Sequence, residues 1–125
     1  MKKTYYHGSP VKNIKVLKPQ LDPRLSIKGV FVADEPFGPS MFSLLPDRAK
    51  ATVKYETKDN KFVSGYVETP SINNEGWLYT LEIDDNDIKE RKPGRFHTEI
   101  PVRVVKKKKI KKDNLVKLGW KIKIT

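Results

Sequence analysis

From Lys61 onward the sequence breaks into short runs: Lys61 to Glu68, Gly76 to Ile83, Arg95 to Lys109 and Gly119 to Ile124. Each is rich in the Val, Ile, Tyr, Phe, Trp and Thr that suit a pleated, half-buried strand, and turn residues stand between them. Nothing between these runs is long enough for a helix to cross over the sheet, so neighbouring strands are expected to pair antiparallel. The first half adds two strand candidates, Lys3 to Tyr6 and Val30 to Ala33. Val11 to Leu17 alternates weakly and suits a short turn or helix before the loop from Pro19 to Pro23. Between Pro36 and Lys50, Phe37, Met41, Leu44 and Leu45 recur at helical spacing, while Pro39 and Pro46 keep any helix to one or two turns. The pattern predicts an α+β chain, mainly antiparallel β, built as a split sheet or sandwich with one or two short helices on its flank.

A chain of 125 residues is the usual size of one domain, and no repeat, heptad or linker divides residues 1–125. With 37% hydrophobic residues, two Trp, five Tyr and five Phe, it carries more apolar material than a disordered chain. No apolar run approaches the roughly 18 residues that span a bilayer, and Met1-Lys2-Lys3 leads into polar sequence. A soluble, cytoplasmic protein with no membrane partner is expected. The absence of cysteine excludes disulfides, thiolate zinc sites and cysteine nucleophiles. Two histidines are too few for a histidine-rich metal site, and the acids from Asp84 to Asp87 lack the central Gly and closing Glu of an EF-hand loop, so no metal is expected. Walker loops, nucleophile elbows and the dinucleotide fingerprint of hydride-transfer enzymes are also missing.

Charge is concentrated at one end. Residues 102–125 hold ten Lys or Arg against Asp113 alone, a net +9 of the chain's +11. The densest part, Lys106, Lys107, Lys108, Lys109, Lys111 and Lys112, could contact nucleic-acid phosphates or an acidic protein. The same lysines also suit a solvated edge strand, where they discourage strand-to-strand aggregation.

Two short segments carry chemistry. In Tyr5-Tyr6-His7-Gly8-Ser9 a strand-like run ends on a His beside a Gly that allows close ligand approach, followed by a hydroxyl and then Pro10. In Gly29-Val30-Phe31-Val32-Ala33-Asp34 a compact apolar strand follows a Gly. On its own each residue has an ordinary structural role open to it, His7 as a hydrogen-bonded structural His and Phe31 as an inward strand residue.

Together the two segments resemble the NAD-binding half of the ADP-ribosyltransferase superfamily, which includes poly-ADP-ribose polymerases, rifampicin ADP-ribosyltransferases and tRNA 2′-phosphotransferases. His7-Gly8-Ser9 is similar to the superfamily's His-Gly-Ser or His-Gly-Thr signature, and Gly29 to Asp34 mirrors Gly-Ile-Tyr-Phe-Ala-Asp, with Phe31 in place of the usual Tyr. Gly76-Trp77-Leu78-Tyr79, Ile100-Pro101-Val102 and Gly119-Trp120 match the layout of small bacterial and phage members. The resemblance implies the superfamily's split β sandwich and NAD as substrate. It also implies that the Gly8 backbone and Ser9 hold the nicotinamide carboxamide, and that His7 bonds the adenosine-side ribose. Gly29 and Phe31 would complete the pocket, with Ser40 near the family's nicotinamide-binding Ser and Phe42 near its ring-stacking Tyr.

Transfer of ADP-ribose also needs a carboxylate beside the developing oxocarbenium ion. By the resemblance Arg95 stands where polymerase-like members carry Glu. Glu99, four residues on and on the same strand face, is one alternative, and Asp84, Asp85 or Asp87, in the loop used by the rifampicin-modifying enzymes, is the other. Two functions stay open: an NAD-dependent ADP-ribosyltransferase acting on a protein, nucleic-acid or small-molecule acceptor, and a noncatalytic module of the same fold whose basic face binds nucleic acid or protein.

Overall fold

In the computed structural model, which describes residues 1–23, 25–59 and 61–125, the N-terminal run forms strand β1 (Lys2–Ser9) in the middle of a large sheet. On one side it pairs antiparallel with β7 (Gly76–Asp84) along its whole length, from Lys2 opposite Asp84 to Ser9 opposite Trp77. On the other side lies β4 (Ile27–Ala33). The sheet continues outward from β7 to β10 (Val102–Ile110) and the short β2 (Val16–Leu17). From β4 it continues to β9 (Arg95–Thr98) and β8 (Lys89–Lys92), with β3 (Gln20–Asp22) also pairing β4. All of these pairings are antiparallel, as the turn-separated runs predict.

A second, three-stranded sheet has the order β11 (Trp120–Ile124), β6 (Lys61–Thr69), β5 (Thr52–Lys58). Here β5 and β6 form an antiparallel hairpin, but β11 runs parallel to β6 because the chain has crossed the whole molecule before returning. Two short helices complete the α+β architecture, α1 (Phe37–Phe42) and α2 (Lys112–Leu118). Gly119, at φ 113°, ends α2 in the left-handed conformation that glycine adopts without a Cβ penalty, and the strand restarts at once with Trp120.

The period of two along β7 divides the core between two faces. Trp77, Tyr79, Leu81 and Ile83 join Tyr5, Val30, Val32, Leu17 and Val102 in one cluster. Leu78 points the other way, into a cluster that joins Ile110 of the large sheet to Val67 and Trp120 of the small sheet through Phe37, Met41, Leu44 and Leu45. Helix α1 therefore lies where the two sheets meet. It is laid directly on β1: a Cβ on Gly8 would stand 1.8 Å from the Pro39 carbonyl oxygen. Gly8 is thus required by helix packing, whereas its sequence context suggested only the approach of a ligand.

The run from Arg95 to Lys109 is two strands. Pro101 has no N–H to give a ladder, and on either side of it β9 pairs β4 while β10 pairs β7, on opposite sides of β1. Among the described residues no helix is long and apolar enough to cross a membrane.

Candidate functional site

At its end β1 parts from β4. The ladder between them registers Tyr6 opposite Ala33, and beyond that point the His7 ring supplies the link: His7 Nδ1 lies 2.7 Å from the Phe31 carbonyl oxygen. A carbonyl only accepts, so Nδ1 carries the proton. Burial, reinforced by the positive charge of Arg48, holds the His7 pKa below its ordinary value against the opposing effect of that bond. The neutral ring then presents Nε2 as an acceptor. The two signature segments, separated by 24 positions, are tied to each other at this seam.

A narrow cleft of about 70 Å³, partly open to solvent, opens there. Its walls include Tyr6, His7, Gly8, Phe31 and Phe42, and three arginines, Arg48, Arg91 and Arg95. Each guanidinium lies over an aromatic ring: Arg48 over Phe42 at 4.3 Å, Arg91 over Phe31 at 4.8 Å and Arg95 over Tyr55 at 5.0 Å. Burial, with Arg95 nearby, pulls the Arg91 pKa down, though a guanidinium stays charged. Arg91 Nε is buried with no hydrogen-bond partner among the described residues.

Glu35 is the carboxylate on the cleft wall. Its Oε2 accepts from the Phe37 amide at 2.5 Å, at the start of α1, where orphan N–H groups need acceptors. Burial raises the Glu35 pKa, more than the Phe37 and Gly38 amides lower it, with Asp34 adding to the rise and Arg95 opposing it. Three cations and one carboxylate suit an anionic ligand that also carries a positive centre.

The other residues singled out in the sequence fall elsewhere. Ser9 and Gly29 line a second hollow that shares His7 and Phe31 with the cleft. Ser40 is buried within α1, where its carbonyl accepts the Ser43 hydroxyl at 2.6 Å. Glu99 lies in a separate groove with Lys18, Lys28 and His97, and pairs with Lys89 at 3.3 Å. Asp85 sits in the turn after β7, 3.7 Å from the Lys3 amine, and Asp84 accepts from Asn86 N–H in the same turn. Neither Glu99 nor Asp85 lines the cleft: β9 runs from Arg95, opposite Ala33, to Thr98, opposite Val30, so Glu99 lies beyond its far end, and Asp85 follows the end of β7 that pairs with Lys2. Lys106, Lys107, Lys108 and Lys109 are exposed along β10, and Lys111 and Lys112 begin α2. Lys107 and Lys109 lie over Trp77 at 5.2 and 5.5 Å. Among the described residues no three His, Asp or Glu side chains come together as a metal site would require.

Sequence reasoning missed Glu35, Arg48 and Arg91 as cleft residues. Only Arg91 and Arg95 left a signal: they flank Pro93-Gly94, a turn that folds β8 onto β9 and brings both side chains to one wall. Compared with known proteins, the chain matches no family model, no curated protein and no solved structure.

Proposed function

We propose that this chain is an NAD-dependent ADP-ribosyltransferase-like enzyme of the split-sandwich type, which takes NAD into the His7 cleft and transfers ADP-ribose to an acceptor. The observation that carries this reading is the His7–Phe31 bond at the parting of β1 and β4, because it joins the two signature segments in one cleft and leaves Nε2 to accept from a ribose hydroxyl. The charge of the cleft supports it. NAD carries two phosphates and a cationic pyridinium ring, and Arg48, Arg91 and Arg95 complement the former while Glu35 complements the latter. Phe42 and Phe31 offer ring surface for the nicotinamide.

A second reading, a noncatalytic module whose β10 face binds nucleic acid or an acidic protein, is favoured by the run of exposed lysines and by Arg95 standing where polymerase-like relatives carry Glu. Calorimetric titration with NAD, run beside an assay for free nicotinamide, separates the two. The enzyme reading expects binding and release, with His7→Ala weakening binding at least about tenfold, the loss of one good hydrogen bond in a desolvated site. A wild-type chain that binds no NAD, or a His7→Ala variant that titrates like wild type, rejects it.

A further inference from the structure

Two polar groups from different elements meet over Gly38 in the first turn of α1. A Cβ built on Gly38 would lie 3.5 Å from Tyr55 Oη and 3.9 Å from Glu35 Oε1. Glu35 is held by the Phe37 and Gly38 amides, so its carboxylate is fixed by the helix rather than free to swing into water. Tyr55 Oη arrives from the small sheet and is buried with no hydrogen-bond partner among the described residues. Arg95, at the position where the resemblance expects the carboxylate, lies over the Tyr55 ring and lines the same cleft as Glu35.

We propose that Glu35, the carboxylate that lines this cleft and is held by the start of α1, is its catalytic carboxylate; the assignment rests on the NAD reading above. In the reaction the bond between the nicotinamide nitrogen and ribose C1′ breaks, and its electron pair goes to the nitrogen, releasing neutral nicotinamide. The ribose becomes an oxocarbenium ion, which the Glu35 carboxylate stabilises by charge. A lone pair of the acceptor, or of water, then bonds to C1′, and the acceptor's proton passes to Glu35 or to solvent.

The competing role for Glu35 is only to cap α1, and two variants separate the roles. Glu35→Gln keeps an oxygen for the Phe37 and Gly38 amides but removes the charge. Gly38→Ala places a methyl between Glu35 and Tyr55 at ordinary contact distances, at a helical position that favours alanine. The measurements are NAD binding, nicotinamide release and the thermal midpoint. Glu35→Gln is expected to keep its midpoint, bind NAD within about threefold of wild type and release nicotinamide at least about 100-fold more slowly. Gly38→Ala is expected to melt no lower than wild type while binding NAD about tenfold more weakly. Release by Glu35→Gln at close to the wild-type rate would leave Glu35 a cap and overturn its catalytic role, with the NAD reading intact. Wild type that binds NAD without releasing nicotinamide overturns the same role. Wild type that takes no NAD overturns the reading of the cleft and this assignment with it.

Discussion

Replacing Trp120 should loosen both the small sheet and the cleft. Trp120 is 2% exposed, stacks on Phe37 at 4.6 Å and 16°, meets Tyr55 edge-on at 5.5 Å, and donates from Nε1 to the Phe37 carbonyl at 3.0 Å. Gly65 of β6 admits the ring, since a Cβ there would lie 2.4 Å from it. A buried Trp removes about 200 Å² from water, worth about 5 kcal/mol at 25 cal/mol/Å². Alanine would keep a small part of that and would leave the Phe37 carbonyl without its indole partner, so Trp120→Ala should cost about 4–5 kcal/mol. Domains of this size hold only about 5–15 kcal/mol in total, so that variant stands near the edge of folding. Trp120→Phe keeps the stack and gives up the indole N–H and one ring, and should cost about 2 kcal/mol. Urea unfolding followed by far-ultraviolet circular dichroism reads both. With a slope of about 1–3 kcal/mol/M, Trp120→Phe should lower the midpoint by about 1 M. Because Phe37 opens α1 and α1 walls the cleft, NAD binding should weaken in the folded Trp120→Phe protein as well. A midpoint shift below about 0.3 M would show that the stack and the indole bond contribute little, and the reasoning that ties β11 to α1 would fail.

Gly8→Ala should destabilise by about 3 kcal/mol or more, because its methyl would meet the Pro39 carbonyl and neither strand nor helix can yield cheaply; a melting midpoint within 2 °C of wild type would refute that. His7 and His97 both have pKa values lowered mainly by burial, so below about pH 6.5 the unfolded chain binds more protons than the fold, and stability should fall as pH drops from 7 toward 6. Urea midpoints should show that slope in wild type and a flatter one in the His7→Gln, His97→Gln double variant. Changing Lys106, Lys107, Lys108 and Lys109 to Gln should weaken binding to single-stranded RNA and reduce its logarithmic salt slope by up to about 3, with NAD titration unchanged; an unaltered slope removes these lysines from any nucleic-acid surface.

The β-rich, turn-punctuated second half showed its strands in sequence because apolar and β-branched residues mark buried pleats wherever they pair. β5 was hidden: Val53 and Tyr55 alternate inward, but Lys54, Glu56 and Lys58 between them make the run read as surface. α2 was hidden by the lysines around it, although Leu115 and the Gly119 stop carry the helical signal. At the site, His7 and Phe31 were legible because each lies in a compact local segment whose neighbours constrain it. Glu35, Arg48 and Arg91 were not, since what gathers them is the docking of α1 on β1, the β8–β9 turn and the approach of the small sheet. Of these, only the Pro93-Gly94 turn leaves a pattern at short spacing. Ser40 shows the reverse case, a residue that the resemblance set beside the nicotinamide but that the packing of α1 turns into the core.

Six residues are too few for a helix to persist in water by propensity, so α1 exists because of what it touches. Its first turn fixes Glu35, its middle rests on Gly8, and its opening Phe37 clasps Trp120 from the far end of the chain. The same few residues therefore join the two sheets and build the wall of the cleft. Any change that lets α1 rise from β1 separates the carboxylate from the His7–Phe31 seam before it unfolds the sheets, since β1 keeps its full ladder with β7. Local opening at α1 should accordingly cost less than global unfolding. In hydrogen exchange the Ser40 and Ser43 amides, which donate to Pro36 and Pro39, should lose protection ahead of the β1–β7 ladder, and NAD should slow them selectively. Uniform exchange across α1 and β1, with or without NAD, would mean that the cleft and the core open as one unit and that α1 is no separate hinge of the site.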